Sequence, residues 1–339
     1  MLSRFEGCIV GGAVGDALGY PVEFMSYRRI CAIFGEAGIR SYWLDETGGV
    51  ALFSDDTQMT LFTAAGLLHA GSGASRATYA EAIHKAYLDW LSTQDSMFSA
   101  PHVSDLVDNP QLHSRRAPGN TCLSALGSHK MGLVEAPLNN SKGCGGVMRV
   151  APVGLMLDDP DEAAHVAAMA AAITHGHPMG YIPAAALAFI VNRCVVSDPC
   201  DIQAVVDECI ARLPGWFDDD CYYAQEMGNQ LKLAAELAAN DAADIDNIVQ
   251  LGEGWVGDEA LAIAVYCCLR HADSFAEAVI AAVNHGGDSD STGAVAGNIM
   301  GAALGREAID DEWTDTLELK EVLTRIAQDL CDARTREHA

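Results

Sequence analysis

The stretch GAVAGNIMGAALG, residues 293–305, decides the fold because it places a glycine at every fourth position. The segment GGAVGDALG, residues 11–19, repeats this spacing with Gly11, Gly15 and Gly19. On a helix, such spacing removes the side chains from one face and lets a second backbone approach closely. A dinucleotide-binding loop is the rival interpretation, but GxGxxG is absent from both segments and no strand pattern precedes them. We therefore predict that the two striped helices pack together at the centre of the molecule.

Helical periodicity recurs along most of the 339 residues, and strand-like alternation is nearly absent. No linker, repeat or low-complexity tract divides the chain, which predicts one compact all-α domain over residues 1–339. Irregular, polar segments at 35–56, 92–118 and 135–150 are the candidate substrate loops. Besides the N-terminal striped segment, helices are predicted over 57–70, 76–91, 119–132, 160–174, 180–196, 201–212, 222–239, 257–271, 274–284, 292–304 and 316–334.

Composition excludes several classes of partner. The formal net charge is −27, and so acidic a surface repels nucleic acid and anionic membranes. Apolar runs such as 184–191, AAALAFIV, are shorter than the roughly 18 to 20 residues of a membrane span. The 11 cysteines are scattered without a CxxC pair, the pattern of reduced thiols, so we expect a cytoplasmic protein without a zinc site.

An acidic motif, NHGGDSDSTG at 284–293, adjoins the C-terminal glycine stripe. Asp288, Asp290 and Ser291 offer several oxygen ligands at a helix start, which suits Mg²⁺, Mn²⁺ or Ca²⁺. Helix capping is the simpler interpretation, although one acidic residue suffices for a cap. An EF-hand is excluded because its twelfth position is Ile299 instead of glutamate.

A second acidic motif, FSDDTQMTLF at 53–62, precedes another helix. Asp55 and Asp56 repel each other unless they are solvated or share a cation, and capping again explains only one of them. Taken with the C-terminal motif, they favour a two-metal site. Glu23, just after the first stripe, is either a surface residue or a group directed into the site, and Asp16 is predicted to be structural.

The loop NNSKGCGGVMRVAP, residues 139–152, is rich in glycine. Its successive amides form either an anion nest for a phosphate or a simple connector. His175 lies in THGHP and is a candidate substrate contact, and Trp255 in GEGWVGDEAL either stacks on an adenine or covers the core.

In order along the chain, seven motifs carry a resemblance: GCIVGGAVGDALGYPVEF, FSDDT, PGNTCLSAL, SKGCGGVMRVAP, THGHP, GWVGDEALAIAVYC and NHGGDSDSTGAVAGNIMGA. Together they are similar to the ADP-ribosylglycohydrolase family, which includes the dinitrogenase reductase-activating glycohydrolase. The resemblance covers about residues 5–306 and leaves a C-terminal helix and tail beyond it. It implies an all-α single domain with a dinuclear metal cleft holding two Mg²⁺ or Mn²⁺ ions.

The resemblance also implies roles for individual residues. Glu23 matches the glutamate that reaches the metals or their water, and Glu23 or Asp55 is the candidate base. Cys144 stands where some relatives have asparagine. The implied metal ligands are Ser54, Asp55, Asp56, Asp288, Asp290 and Ser291, and the implied ADP-ribose contacts are Ser141, Gly143, Gly145, Gly146 and His175, with Trp255 as the candidate adenine contact.

The implied reaction removes ADP-ribose from a modified protein side chain, with N-linked ADP-ribosyl-arginine as the expected substrate and ADP-ribose as the product. Use as immunity against an ADP-ribosyltransferase toxin is a further hypothesis. The alternative is a catalytically silent protein of the same fold that binds ADP-ribose or blocks a transferase.

Overall fold

The computed structural model describes residues 1–44 and 48–336, and the described residues are mostly helical. Their only strand-like pairings are single bridges between Ala51 and Leu317 and between Gly143 and Val256. The predicted all-α class is therefore confirmed. The α-helices of the described residues are α1 (Leu2–Gly19), α2 (Tyr27–Phe34), α3 (Asp55–Ala70), α4 (Arg76–Gln94), α5 (Asn120–Gly127), α6 (Ala151–Met156), α7 (Pro160–Ala172), α8 (Pro178–Val196), α9 (Ile202–Trp216), α10 (Cys221–Ala238), α11 (Asp244–Leu251), α12 (Gly257–Arg270), α13 (Phe275–Val283), α14 (Ser289–Leu304), α15 (Asp311–Thr314) and α16 (Lys320–Arg336).

The two glycine stripes pack on each other, as predicted. A Cβ on Gly297 would lie 2.0 Å from the carbonyl oxygen of Gly11, and one on Gly15 would lie 1.9 Å from that of Gly293. The stripe on α1 also begins one turn earlier than predicted, because Gly7 faces Gly301 in the same way. The helices therefore run antiparallel and bring the end of α1 to the start of α14.

The last glycine of the predicted stripe has a different role. Gly305 follows the end of α14 with φ of 86°, a left-handed conformation that favours glycine, and ends the helix. A Cβ on Gly305 would meet the Ser3 hydroxyl at 2.6 Å rather than a backbone carbonyl of α1. The backbone of Gly305 still lies against α1, since a Cβ on Gly7 would be 2.7 Å from the Gly305 carbonyl carbon.

Helix α8 lies in the core between α6, α7, α12 and α14. It has 19 residues and, by length and composition alone, is apolar enough to cross a membrane, contrary to the expectation from the short run 184–191. However, 89% of its apolar window is buried inside the molecule, as in a core helix. The helix therefore gives weak support for a membrane span.

The C-terminal segment departs from its expected role as a charged surface helix. Helix α16 packs on α1, α3 and α6 and buries Leu323, Ile326 and Leu330. Just before it, Glu318 forms a buried salt bridge with Arg116. The C-terminal helix is therefore part of the core, and the expected tail at 337–339 lies outside the described residues, as does 45–47 within the predicted loop 35–56.

Several helix predictions differ from the structure. The helices α2, α6 and α11 have eight, six and eight residues and were not predicted, because so few turns carry little periodicity. Helix α5 ends at Gly127 rather than at 132, because His129 takes φ of 57° and turns the chain away.

Candidate active site

A cleft of about 390 Å³ opens where α3 and α14 begin. It gathers residues from seven separate parts of the chain, including part of the predicted substrate loop 135–150 and the ends of the predicted loops 35–56 and 92–118. Such a concave site with converging polar groups is the usual place of ligand binding. The cleft is lined by Glu23, Phe24, Asp55, Asp56, residues 117–122, Gly143, Cys144, Gly145, Met148, His175, Trp255, Asp288, Asp290 and Ser291.

The N-terminus of α3 supplies the first pair of carboxylates. Ser54 caps the helix, and its Oγ accepts a hydrogen bond from the Asp56 amide at 3.2 Å. Asp55 and Asp56 form the first turn, where the positive end of the helix dipole favours negative charge. Both are buried, and their side chains line the cleft.

Asp16 holds this helix start in place from α1. Its Oδ1 accepts from the Ser54 amide at 2.8 Å, and its Oδ2 accepts from the Thr57 amide at 2.9 Å and from the Thr57 hydroxyl at 2.5 Å. The prediction that Asp16 is structural is confirmed by these bonds, although they stabilise α3 rather than the turn around Asp16 itself.

The N-terminus of α14 supplies the second pair. The Asp288 amide donates to the Glu253 carbonyl at 2.8 Å, which ties the helix start to the loop before α12. Gly287 allows this approach, since a Cβ there would lie 1.9 Å from the same carbonyl oxygen. Asp290 follows in the first helical turn, next to the buried Ser291.

Glu23 joins the C-terminal motif in one cluster. One carboxylate oxygen each from Glu23, Asp288 and Asp290 lie within 4.8 Å of one another, and all three residues are buried. Burial and the neighbouring Asp290 and Asp288 raise the pKa of Glu23 to about 10. The sequence left Glu23 open between surface and site, and the structure places it in the site.

The remaining carboxyls show the same electrostatic conflict. Burial, reinforced by the charge of Asp290, raises the pKa of Asp55 and Asp56 well above the usual range. Glu23 Oε2 and Asp56 Oδ2 are buried without a hydrogen-bond partner. Unpaired buried carboxylate oxygens are costly, and divalent cations satisfy such oxygens. The residues present therefore fit a metal site.

The glycine loop forms the adjoining wall of the cleft. Gly143 and Gly145 face His175, and a Cβ on Gly145 would lie 2.9 Å from His175 Cε1. Burial, with the positive Arg149 nearby, lowers the pKa of His175 to about 3, so the imidazole is neutral. His175 is thus placed in the cleft as a neutral hydrogen-bonding group.

Part of this loop is engaged inside the protein. The Gly143 amide donates to Ser141 Oγ at 3.3 Å, and the Cys144 amide donates to the Trp255 carbonyl at 3.2 Å. The amides of Gly145 and Gly146, at the start of the short 3₁₀ helix Cys144–Gly146, have no partner within that helix. A diphosphate cradle in this loop would therefore depend on those two amides.

Cys144 adds a thiol to the acidic end. Its Sγ donates to Asp288 Oδ2 at 2.7 Å, and burial and the charge of Asp288 raise its pKa well above the usual range. The thiol therefore stays protonated and acts as a hydrogen-bond donor to a candidate metal ligand.

The predicted site residues divide into two groups. Glu23, Asp55, Asp56, Gly143, Gly145, His175, Trp255, Asp288, Asp290 and Ser291 line the cleft, which brings the two acidic motifs together. Ser54, Ser141 and Gly146 do not line it: Ser54 is fully buried, Ser141 bonds to the loop, and Gly146 packs against the Gly180 carbonyl. The roles of all these residues stay predictions.

Sequence reasoning missed Phe24, the aromatic neighbour of Glu23. Its ring stacks on that of Trp255 at the cleft, with the centroids 5.6 Å apart. Its signals in the sequence were its position beside Glu23 and its place at the end of the motif GCIVGGAVGDALGYPVEF. Another wall is formed by residues 117–122, where the predicted substrate loop 92–118 meets the start of α5.

A family model described as ADP-ribosylglycohydrolase matches residues 1–339. The chain belongs to the ADP-ribosylglycohydrolase family. This match extends beyond the 5–306 of the expected resemblance and includes the C-terminal helix, in agreement with the packing of α16.

Individual relatives of the family agree over nearly the whole chain. An uncharacterised protein of Archaeoglobus fulgidus is 28% identical and covers 99% of this chain and 98% of its own. ADP-ribosylhydrolase ARH3 of Mus musculus is 24% identical over 97% of this chain and 91% of its own. ADP-ribosyl-[dinitrogen reductase] glycohydrolase of Rhodospirillum rubrum is 26% identical over 94% of this chain and 91% of its own.

A solved structure titled as an ADP-ribosylglycohydrolase-related protein complex has the same fold. Its TM-score is 0.64 at 24% identity, with 98% of each chain covered. ADP-ribosylglycohydrolases are metal-dependent enzymes that act on ADP-ribosylated substrates and release ADP-ribose. Membership therefore supports an ADP-ribosyl hydrolase activity for this chain, and the acidic cluster agrees with the metal dependence.

Proposed function

We propose that the protein is a Mg²⁺-dependent hydrolase that removes ADP-ribose from modified arginine side chains of proteins and so reverses mono-ADP-ribosylation. One observation carries the proposal: five carboxylates meet at one end of the cleft, and two of their oxygens are buried without a partner. A buried cluster of this kind is costly in a purely structural protein.

The proposed cofactor is a pair of Mg²⁺ or Mn²⁺ ions. Hard oxygen ligands suit both ions, and carboxylates from α3 and α14 approach the cleft from two sides. When bound, the ions would supply positive charge that polarises a water molecule or the ribose hydroxyls. The proposed ligands are Ser54, Asp55, Asp56, Asp288, Asp290 and Ser291, with Glu23 reaching the ions or their water.

The carboxylates then perform the acid–base chemistry. In the proposed reaction, water forms a bond to the anomeric carbon as the bond from that carbon to the arginine nitrogen breaks. Ionised Glu23 or Asp55 accepts one proton of the water, and the same carboxyl then passes this proton to the leaving arginine nitrogen. Without cations, Glu23 is protonated at neutral pH, since its pKa is about 10. Neighbouring positive charge lowers that pKa and makes the residue a base.

The rest of ADP-ribose is proposed to lie along the glycine loop. Gly145, which lines the cleft, would present its amide to the diphosphate, with the buried Gly146 behind it, and the neutral His175 would hydrogen-bond to the diphosphate or to the ribose. The closed packing around Gly145 supports this, because a side chain there would collide with His175.

We also propose a cytoplasmic location, supported by the free thiol state of all 11 cysteines. A role as immunity against an ADP-ribosylating toxin is a further hypothesis. Co-purification of the protein with a transferase, and protection of cells against that transferase, would test it.

The decisive experiment incubates the protein with mono-ADP-ribosylated arginine and serine peptides, with and without Mg²⁺, and measures free ADP-ribose. We expect Mg²⁺-dependent release from the arginine peptide. Asp290→Asn should abolish release, whereas Asp241→Asn, a change on the exposed surface, should not. Release from neither peptide would refute the proposal and favour the silent ADP-ribose-binding alternative.

A further inference from the structure

Two aromatic rings are exposed at the rim of the cleft. Phe24 is 75% exposed and Trp255 is 37% exposed, and their rings stack with an angle of 17° between the planes. The rings cover each other on one face, and the exposed part of each ring is open to a ligand. Large aromatic side chains exposed beside a cleft are typical of binding sites.

The pair lies at the acidic end of the cleft, where the reaction is proposed to occur. Phe24 follows Glu23 directly in the chain. The Trp255 carbonyl accepts a hydrogen bond from the backbone amide of Cys144, and the thiol of Cys144 donates to Asp288. Two residues before Trp255, Glu253 holds the amide of Asp288 through its backbone. The rings are therefore fixed next to the carboxylates by short segments of backbone.

The position decides which part of the substrate reaches the rings. The bond that breaks is at the anomeric carbon, which must lie beside the catalytic carboxylates. The group on the far side of that bond belongs to a protein and has to leave the cleft towards solvent. Among the described residues that line the cleft, Phe24 and Trp255 are the exposed aromatic side chains, and Phe24 adjoins Glu23 at the acidic end.

The chemistry of the rings selects the leaving group. A guanidinium is planar and cationic, and it stacks on aromatic faces in a way that a serine hydroxyl does not. We infer that Phe24 and Trp255 form a subsite that stacks on the guanidinium of ADP-ribosylated arginine and so gives the enzyme its preference for that side chain. This inference rests on the proposed function and differs from adenine stacking by Trp255.

The test measures affinity rather than turnover. Wild-type protein with Mg²⁺ is titrated in a calorimeter with three ligands: a non-hydrolysable C-linked ADP-ribosyl-arginine peptide analogue, the matched serine analogue, and free ADP-ribose. The key variants are Phe24→Leu, which keeps an apolar side chain but removes the aromatic face, and Phe24→Tyr, which keeps the face. Trp255→Leu and Trp255→Phe form the same pair at the second ring. Tyr222→Leu, at an exposed aromatic outside the cleft, is the control.

We expect Phe24→Leu and Trp255→Leu to weaken binding of the arginine analogue about 3- to 10-fold, as the loss of a partly exposed cation–π contact predicts. Phe24→Tyr and Trp255→Phe should rescue it, and the affinity for the serine analogue should stay within about twofold. An equal loss for free ADP-ribose would overturn the inference and indicate adenine stacking. Unchanged binding of the arginine analogue, or an equal loss for the serine analogue, would also overturn it.

Failure of the proposed function has a different signature. It appears as an absence of ADP-ribose release from the arginine peptide by the wild-type protein, whatever the ring variants do to affinity. Failure of the subsite appears as normal release by wild type with no selective effect of Phe24→Leu on binding of the arginine analogue.

Discussion

Replacing Gly297 by alanine tests whether the interlocked glycines hold the molecule together. A Cβ at this position would lie 2.0 Å from the Gly11 carbonyl oxygen and 2.6 Å from the Gly11 carbonyl carbon. Real contacts of this kind are longer than 3.0 Å, so the two backbones must separate by about 1 Å. Neither partner is a side chain that can rotate away, which makes this a severe case of overpacking.

The magnitude follows from two opposing effects. Overpacking a core costs about 1–3 kcal/mol, and a collision of backbone with backbone lies at or above the upper end of that range. Alanine returns about 0.5–1 kcal/mol by its better helix propensity. We expect a net loss of about 2–3 kcal/mol in the free energy of unfolding and a fall in the melting temperature of about 3–4 °C.

The assay is urea unfolding followed by circular dichroism, with Gly228→Ala as the matched control. Gly228 is also inside a helix, but a Cβ there would meet only the Ile210 side chain at 3.7 Å, an ordinary contact. This variant should be stabilised by about 0.5–1 kcal/mol. If Gly297→Ala proves as stable as Gly228→Ala, then the close approach of α1 and α14 does not exist.

Three further predictions concern the site and its supports. Asp290→Asn should weaken Mg²⁺ binding by at least about 100-fold in calorimetry while the circular dichroism spectrum persists; unchanged affinity would remove Asp290 from the ligands. The pKa of Glu23 is raised from its usual 4.5 to about 10. Its protonated form therefore stabilises the cation-free fold below pH 4.5, and this stabilisation is lost as the pH rises towards 10. The gain in melting temperature from Mg²⁺ should therefore grow from about pH 5 to about pH 9, and this growth should shrink in Glu23→Gln; a pH-independent gain would contradict the assignment. Arg116→Leu leaves Glu318 buried without its partner and should lower the free energy of unfolding in urea by about 3–5 kcal/mol. The double variant Arg116→Leu with Glu318→Leu should recover most of that loss, and an equal loss in the single and the double variant would mean that the pair is not coupled.

Most of the central architecture was predictable because it depends on local periodicity. The spacing of Gly11, Gly15 and Gly297 identified the two helix faces directly. The register between the two helices was not predictable, because the local sequence does not specify that Gly11 contacts Gly297 and that Gly7 contacts Gly301. Short helices were not predicted because they carry little periodicity: the six residues of α6 complete fewer than two turns.

The candidate site was predictable where several residues of one type occur together and not where a single residue acts alone. Asp55 and Asp288 each belong to a compact acidic motif, and both line the cleft. Ser141 lies in a recognisable loop, but whether it faces the cleft or the loop depends on tertiary packing. Phe24 is a single aromatic residue without a motif of its own kind around it, and only the fold shows that its ring stacks on that of Trp255.

Helix α1 explains how two acidic motifs that are 233 positions apart come to share one cleft. Its glycine face fixes α14, with Gly19 against the Ser289 carbonyl, so the start of α14 lies at the end of α1. Its Asp16 bonds to the first amides of α3, so the start of α3 lies at the same place. Both helices thereby direct the positive ends of their dipoles at the cleft, which favours the carboxylates they carry. That contribution is modest, typically about 0.3–1 kcal/mol for each exposed charge. It opposes a larger effect, because burial raises the pKa of all five carboxyls. The helix termini alone are therefore too weak to keep all five ionised, and the packing that α1 imposes becomes favourable at neutral pH when cations bind.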